Sequence, residues 1–178
     1  LSVMYGCNNF CTYCVVPSVR GRERSRKPED VVAEARELVA AGYKDITLLG
    51  QNVNSYGRDL PDGVDFAGLI RQINAIPGDF LIRFMTSHPR DATETLFKTM
   101  AECEKCAKQL HLPVQSGSDR VLRAMNRHYD RAKYMELIAC ARRYMPDLVV
   151  TTDIIVGFPG ETEADFEETI RLVEQVRY

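Results

Sequence analysis

The sequence predicts an α/β fold in which parallel β-strands form a sheet and helices pack outside it. Short apolar runs alternate with longer helical patterns five times along the 178 residues, and strict alternation of strands and helices favours parallel pairing. Loops of unusual composition follow the strands, where an α/β fold carries its chemistry. The pattern alone leaves an open doubly wound sheet and a TIM-like barrel as alternatives.

The first cycle joins a short strand at 1–5 to a helix that begins at Pro28. Proline is favoured in a first helical turn, and Gly42 marks the helix end. Residues 6–27 between the two elements are predicted as a loop. The apolar residues spaced for one face of this helix are Val32, Ala35, Leu38 and Val39.

The second and third cycles contain the strands 45–50 and 80–85. Both are short apolar runs, as expected for buried strands. The helix at 65–76 ends at Pro77 and Gly78, a pair that marks a turn. The connecting loops and the next helix are predicted at 51–64, 86–90 and 91–102.

The last two cycles contain the strands 108–114 and 148–157. Ser118, Asp130 and Thr162 are predicted as helix N-caps, because their side-chain oxygens can accept from the free N–H groups of a first turn. The residues expected on one face of the final helix are Phe166, Ile170 and Val173.

The composition is that of an ordinary globular protein and excludes some classes of function. Hydrophobic residues make up 45% and charged residues 27% of the chain, and no apolar run approaches the roughly 20 residues of a membrane span. A formal net charge of −2 does not support a basic face over the whole domain. Residues 20–27, however, place five basic residues against one acidic residue.

The redox environment is predicted from the cysteines. Six cysteines lie in a chain with a substantial apolar content, unlike a small domain stapled by disulfides. The first residues lack the basic and apolar pattern of a secretory signal, so we expect a cytoplasmic protein with free thiols. Because the first residue is Leu1, we also expect a piece excised from a longer protein.

Three of the cysteines, Cys7, Cys11 and Cys14, lie within eight residues of one loop. Structural zinc sites use four ligands, and iron–sulfur clusters also usually take four thiolates. Three thiolates would leave one iron of a 4Fe-4S cluster open for a substrate or cofactor. A half-built zinc site and loop cysteines without a metal role are the alternatives.

The spacing of these cysteines after a first strand, with Tyr13 before the last of them, resembles the signature of the radical S-adenosylmethionine (SAM) superfamily. Four stretches resemble MiaB-type tRNA methylthiotransferases over almost the whole chain. They are GCNNFCTYCVVPSVRGRERSR, LLGQNVNSYG, TSHPRD with HLPVQSGSDRVLRAMNR, and TTDIIVGFPGETE. The resemblance implies a partial TIM-like (βα) barrel with parallel strands and outer helices, in which about five of the usual six βα units are present.

The resemblance implies that residues 1–178 are the radical SAM core domain of an enzyme that converts N6-isopentenyladenosine, next to the tRNA anticodon, to its 2-methylthio derivative. A 4Fe-4S cluster on the three cysteines and bound SAM would supply a 5′-deoxyadenosyl radical, with an external electron donor. The family also has an N-terminal domain with a second 4Fe-4S cluster and a C-terminal TRAM domain. Neither lies within this chain, so we expect the isolated chain to be inactive.

Other functions remain open at this point. The substrate could instead be threonylcarbamoyl-adenosine or a ribosomal protein, as in relatives of the same family. A non-catalytic metal-binding module, in which a metal only orders the cysteine loop, is the alternative from a different class.

The resemblance also assigns SAM-binding positions near the ends of the predicted strands. The residues expected to contact SAM are Tyr13, Gly50, Gln51, Asn52, Gln115, Ser116, Asp153, Val156 and Gly157. An acid within an apolar strand is costly unless it is paired, and a ribose hydroxyl would suit Asp153. A turn, a structural hydrogen bond or ordinary packing is the alternative role at these positions.

The tRNA anticodon stem–loop is the expected partner, and two segments are candidates to contact it. They contribute Arg20, Arg22, Arg24 and Arg26 from the basic segment, and His88 and Arg90 from the end of the third strand. Alternating arginines in an extended loop can bind phosphates or the SAM carboxylate, whereas a solvated surface or loop bracing is the alternative. An open barrel edge could also pair with a second copy of the chain.

The remaining cysteines are expected outside the site. Cys103 and Cys106 lie between a helix and a strand, toward the opposite end of the sheet, and a second metal site there is the alternative. Cys140 lies among apolar helix residues. His111, within a predicted strand, is either an interior residue or a site residue.

Overall fold

A computed structural model describes residues 1–61 and 63–178. Its strands are β1 (Met4–Tyr5), β2 (Arg24–Ser25), β3 (Asp45–Leu48), β4 (Leu81–Phe84), β5 (Gln109–His111) and β6 (Val149–Thr151). Its helices are α1 (Val16–Arg20), α2 (Pro28–Ala40), α3 (Phe66–Asn74), α4 (Glu94–Glu102), α5 (Asp119–Ala124), α6 (Arg131–Tyr144) and α7 (Glu163–Val176). Short 3-10 turns lie at Val53–Ser55 and Pro89–Asp91.

Parallel pairing joins the strands in the order in which they occur along the chain. β3 pairs with β4, and β5 pairs with β6. Single parallel bridges connect Ser2 with Leu49 and Ile82 with Cys106. The segments that contain β1, β3, β4, β5 and β6 therefore follow one another across the sheet.

This order distinguishes the two architectures that the sequence left open. A doubly wound sheet reverses its strand order at a switch point, whereas the observed order continues in one direction. In the described part of the chain no pairing joins β6 back to β1. The fold is therefore an open arc of parallel strands, and the barrel is not closed.

The two faces of the arc have different environments. Alternate strand residues such as Ile46, Leu48 and Ile82 are buried, because successive side chains of a strand point to opposite faces. On the other face, Arg83 donates hydrogen bonds to the Asp45 carboxylate and to the Gln109 side-chain oxygen, each at 2.7 Å. The apolar core thus lies between the arc and the helices, and the other face carries this polar network beside exposed apolar side chains such as Leu81 and Val149.

The prediction of a plain loop at 6–27 is wrong. Pro17 lies in the first turn of α1, and β2 pairs antiparallel with β1. The Arg26 N–H donates to the Val3 carbonyl at 2.9 Å, which continues this pairing. The basic segment is therefore folded back against the first strand, beside the cysteine loop.

The helix N-caps are confirmed where a capping residue was identified. Ser118, Asp130 and Thr162 each accept a hydrogen bond from a main-chain N–H of the first turn. The prediction that a helix begins at Asp91 is wrong, because Thr93 is the N-cap of α4 and Asp91 ends a 3-10 turn.

The predicted buried face of α7 is also wrong. Its buried residues are Asp165, Thr169, Leu172 and Val176, one position away from the predicted set. The cause is a polar contact: Asp165 accepts from the Ser118 hydroxyl at 2.6 Å, and Thr169 Oγ1 accepts from the Gly117 N–H at 2.9 Å. These hydrogen bonds dock α7 on the segment that follows β5.

Candidate metal and cofactor site

The three cysteines of the first loop meet at one cavity of about 180 Å³. Gln51 and Gln115, from the segments that follow β3 and β5, line the same cavity. The cavity therefore lies at the carboxyl ends of the strands, where the chemistry of an α/β fold is expected.

Gly6 sets the path of the cysteine loop. Its φ is +77°, and a Cβ atom there would lie 2.1 Å from the Arg22 carbonyl oxygen, so the position requires glycine. The Gly6 N–H donates to Gln51 Oε1 at 2.7 Å. The next N–H, of Cys7, donates to the Gly21 carbonyl at 3.2 Å. The start of the loop is thereby fixed both to the end of β3 and to the basic segment.

The three thiols are free and differ in burial. Cys7 and Cys11 are buried, and Cys14 is exposed. Burial raises the pKa of the Cys7 thiol, so a bound metal must favour its ionisation. Among the described residues, no three His, Cys, Asp or Glu side chains surround one point closely enough to hold a single metal ion. All three cysteines line the same cavity.

A buried arginine that the sequence analysis missed lies beside Cys11. Arg127 is 4% exposed, and its Nη1 lies 3.4 Å from Cys11 Sγ and 3.3 Å from Tyr13 Oη. Its other nitrogens donate to the Pro113 carbonyl at 2.8 Å and to Tyr129 Oη at 2.9 Å. The cavity wall therefore carries a positive charge next to a candidate metal ligand.

His88 lies in the same wall and is buried. Its Nδ1 accepts from the Arg90 N–H at 3.2 Å, so Nε2 carries the hydrogen and lies 4.0 Å from Cys11 Sγ. Burial, with the charge of Arg127 as the next cause, lowers the pKa of His88 to about 3. The imidazole is therefore neutral at physiological pH, and it faces the cysteines rather than solvent.

Tyr13, Gln51 and Gln115 are the predicted SAM contacts that line the cavity. Burial raises the pKa of Tyr13 to about 12, so its phenol stays protonated. Asn9 Oδ1 and Ser87 Oγ are buried in the same wall and have no hydrogen-bond partner among the described residues. Because buried polar atoms are usually paired, these atoms indicate that the cavity accommodates a polar occupant.

Gly50, Asn52 and Ser116 lie beside the cavity and bind other parts of the protein. Asn52 Nδ2 donates to the buried Asp91 carboxylate at 2.7 Å. The Gly50 carbonyl accepts from Thr86 Oγ1 at 2.6 Å, and Ser116 is completely buried. These contacts support the structural role that the sequence left as the alternative.

Asp153, Val156 and Gly157 lie on a more exposed surface. The expectation that Asp153 is an acid within an apolar strand is wrong, because β6 ends at Thr151 and the Asp153 side chain is 63% exposed. His111 connects the strands: its Nε2 lies 3.3 Å from the Asp153 carboxylate and its Nδ1 lies 3.0 Å from Thr151 Oγ1. Val156 is 62% exposed, and Gly157 lies next to it in a shallow depression.

The arginines of the basic segment fall into two groups. Arg26 donates to the Ser2 carbonyl at 2.7 Å and pairs with Glu34 at 2.7 Å, so it is part of the fold. The exposed arginines, for which the described residues provide no ion pair, are Arg20, Arg22 and Arg24. The second group remains available to a ligand outside the chain.

The other predicted residues lie away from the cavity. Arg90 pairs with the buried Asp91 at 3.2 Å. Cys103 and Cys106 are free and buried in the apolar core, and Cys140 is partly buried on α6. None of the helices in residues 1–61 and 63–178 is long and apolar enough to cross a membrane.

The comparison with protein families agrees with this arrangement. A family model described as "Radical SAM superfamily" matches residues 1–173. The chain belongs to the radical SAM superfamily.

Within that superfamily the chain is similar to proteins named "tRNA-2-methylthio-N(6)-dimethylallyladenosine synthase". It is 58% identical over 178 residues to the proteins of that name from Clostridium botulinum strain Hall and Clostridium perfringens strain SM101. It is 61% identical to the protein from Clostridium botulinum strain Eklund 17B. Each alignment covers all of this chain and 39% to 40% of the relative, so the chain spans about two fifths of the length of these relatives.

Solved structures share the fold. The cobalamin-dependent S-adenosylmethionine radical enzyme OxsB, with aqua-cobalamin and S-adenosylmethionine bound, has a TM-score of 0.78 and 15% identity over 98% of this chain and 26% of its own. The radical S-adenosylmethionine methyltransferase TsrM from Kitasatospora setae, with cobalamin and a 4Fe-4S cluster bound, has a TM-score of 0.79 and 19% identity over 99% of this chain and 34% of its own. At these identities the likeness shows the fold alone.

Proposed function

We propose that this chain is the cluster-binding and SAM-binding domain of an enzyme that converts N6-isopentenyladenosine in tRNA to its 2-methylthio derivative. The observation that carries the proposal is the convergence of three cysteines on one cavity whose wall contains unpartnered buried polar atoms. The 58% identity to proteins named as synthases of this modified nucleoside supports the substrate. The open arc is then an incomplete TIM-like barrel of about five βα units, with residues 1–178 as the radical SAM core domain.

The donor set fits a 4Fe-4S cluster better than a single zinc ion. Among the described residues no three such side chains are arranged for a single metal ion, and a 4Fe-4S cluster would be held by the thiolates of Cys7, Cys11 and Cys14, which line the cavity. Three cysteines leave one iron open, and the amino and carboxylate groups of SAM would bind there. When bound, the cluster supplies an electron that cleaves SAM to methionine and a 5′-deoxyadenosyl radical, which activates C2 of the adenine.

Residues of this chain would hold SAM beside the cysteines. Gln115 is kept in place by its main chain, which donates to the Asp153 carbonyl and accepts from the Ile155 N–H, each at 2.9 Å. Its side-chain amide faces the cavity and can accept from the SAM ammonium or donate to the carboxylate. The main-chain pairing of Gln115 with residues 153 and 155 also brings Val156 and Gly157 close to Gln115. These two exposed residues would contact the adenine end of SAM.

The exposed arginines would bind the tRNA backbone close to the cluster. Glu23, the one acid among them, is bound by the main-chain N–H and the side-chain amide of Asn8 at 3.2 and 3.4 Å. This contact connects the basic segment to the cysteine loop. Because the Glu23 carboxylate is hydrogen-bonded to the neutral Asn8 and not to an arginine, the arginines can bind phosphates. The target base would need to be extruded from its stack to reach the radical.

The finer expectations of the resemblance belong to the same proposal. They are a second cluster elsewhere in the parent protein, an external electron donor, a cytoplasmic location and pairing of the open barrel edge with a second copy.

The test is nucleoside analysis of tRNA treated with SAM, a chemical reductant and the protein at its natural length, reconstituted anaerobically with iron and sulfide. We expect 2-methylthio-N6-isopentenyladenosine with the wild type and none with Cys7→Ala, Cys11→Ala or Cys14→Ala. Cys140→Ala is the matched control, because it removes a partly buried thiol on α6, and it should retain the activity. Product formation by the cavity variants, or modification of a protein or of threonylcarbamoyl-adenosine instead, would contradict the proposal.

A further inference from the structure

Arg127 is a buried cation that the fold does not neutralise. Its side chain lies in the wall of the cysteine cavity and contacts sulfur, hydroxyl and carbonyl groups. Within residues 1–61 and 63–178 no carboxylate forms an ion pair with it. A buried charge is costly unless it is paired, so the guanidinium indicates an anion that the cavity receives.

We propose that this anion is the iron–sulfur cluster and that Arg127 is a positioning residue that raises the reduction potential of the cluster through Cys11. The contact that carries the inference is the 3.4 Å distance between Arg127 Nη1 and Cys11 Sγ. The inference rests on the proposed function and adds a residue and a role to it.

The direction of the effect follows from charge. Three thiolates bring three negative charges to a 4Fe-4S core that has two positive charges when oxidised and one when reduced. A hydrogen bond to a ligand sulfur and a fixed positive charge nearby therefore stabilise the reduced state more than the oxidised state. Arg127 supplies both at Cys11, where its Nη1 lies 3.4 Å from the sulfur, whereas His88 Nε2 lies farther away at 4.0 Å.

The surrounding structure holds the guanidinium at this position. Its Cζ atom lies 5.3 Å from the centroid of the Tyr129 ring, and Tyr129 Oη donates to the Val114 carbonyl at 2.8 Å. Arg127 Nη2 also donates to the Pro113 carbonyl at 2.8 Å. The side chain is therefore fixed before a cluster binds.

The test is a redox titration of the protein at its natural length after anaerobic reconstitution with iron and sulfide. The readout is the reduced-cluster electron paramagnetic resonance signal that changes when SAM is added, because this response identifies the cluster with an open iron. Arg127→Gln and Arg127→Met remove the charge, and Arg127→Lys retains it. Arg142→Gln is the matched control. Like Arg127, Arg142 donates to a main-chain carbonyl, that of Val176 at 2.6 Å, but it lies on α6 and does not line the cysteine cavity.

We expect the Gln and Met variants to shift the reduction equilibrium about tenfold toward the oxidised cluster, which is about 59 mV for a one-electron couple. The Lys variant should shift less, and Arg142→Gln should not shift. A change of less than about twofold, or about 18 mV, in both charge-removing variants would overturn the inference. A weaker affinity for SAM without a change in potential would also overturn it, because the SAM carboxylate would then be the anion.

One control distinguishes a redox role of Arg127 from a purely structural one. Arg127→Met removes buried hydrogen bonds to the Pro113 carbonyl and to Tyr129 Oη, so it should lower the melting temperature of the empty protein more than Arg127→Lys, while both variants fold and take up the cluster. Failure of both charge-removing variants to fold or to take up the cluster would show a purely structural role and overturn the inference. A wild-type cluster that does not respond to SAM would instead refute the proposed function.

Discussion

Gly117 is the position at which one added methyl group should test how α7 fixes the segment that follows β5. A Cβ atom there would lie 2.5 Å from the Glu168 carbonyl oxygen and 2.6 Å from Thr169 Cα. Both are main-chain atoms of α7, so they cannot rotate away, and the helix must shift. Overpacking of this kind costs about 1–3 kcal/mol. For a domain of this size, about 1 kcal/mol corresponds to roughly 2–4 °C, so Gly117→Ala should lower the melting temperature by about 2–12 °C.

The assay is thermal unfolding followed by circular dichroism, with the same substitution at Gly68 as the matched control. Gly68 lies in α3, where an added Cβ meets only the side chains of Asp65 and Val64 at 3.3 Å. Alanine is favoured over glycine in a helix by about 0.5–1 kcal/mol, so Gly68→Ala should leave the melting temperature unchanged or raise it slightly. Equal melting temperatures for Gly117→Ala and the wild type would refute the close approach of α7.

Three further predictions concern charged groups. Hydrogen bonds, led by that from Arg120, lower the pKa of Asp165 below the 3.8 of a free aspartate. The charged carboxylate therefore stabilises the folded protein at pH values above 3.8. This stabilisation is lost as the pH falls below 3.8 toward the lower pKa of the folded state. The urea midpoint should therefore fall more steeply from pH 5 to pH 3 in the wild type than in Asp165→Asn, and equal slopes would contradict this account. Arg26→Ala should lower the melting temperature, since it removes an ion pair and a main-chain hydrogen bond. Arg24→Ala should leave the melting temperature unchanged and weaken tRNA binding, with a salt slope reduced by about 1; an unchanged slope in filter-binding titrations would argue against a phosphate contact.

Three helix starts could be predicted because their signals are local. Ser118, Asp130 and Thr162 each carry a side-chain oxygen at the point where a helical pattern begins, and each caps its helix in the structure. The three cysteines could likewise be identified as one site, because they lie in a single loop after a strand.

The register of α7 could not be predicted from hydrophobic spacing. Asp165 and Thr169 face inward because they bind Ser118 and Gly117, which lie about fifty residues earlier in the chain. Such tertiary hydrogen bonds outweigh the apolar pattern of Phe166 and its neighbours, and nothing within the helix sequence records them.

Arg127 was missed for the same reason. It lies 116 positions from Cys11, and an arginine between two helices is usually exposed. The available signal was indirect: Arg127 is the last residue of the stretch HLPVQSGSDRVLRAMNR, which resembles the family, and it lies between a short helix and a capped one. Only the three-dimensional arrangement shows that this arginine reaches the cysteine cavity.

The central claim is that Cys7, Cys11 and Cys14 hold a cluster with one open iron. The most direct measurement is electron paramagnetic resonance of the protein at its natural length, reconstituted anaerobically and reduced, with and without SAM. The account predicts a reduced 4Fe-4S signal that changes on addition of SAM, and a variant with all three cysteines replaced should lose that signal together with about four irons per chain. Retention of the SAM-sensitive signal in the triple variant, or one zinc ion in place of the irons, would contradict the claim.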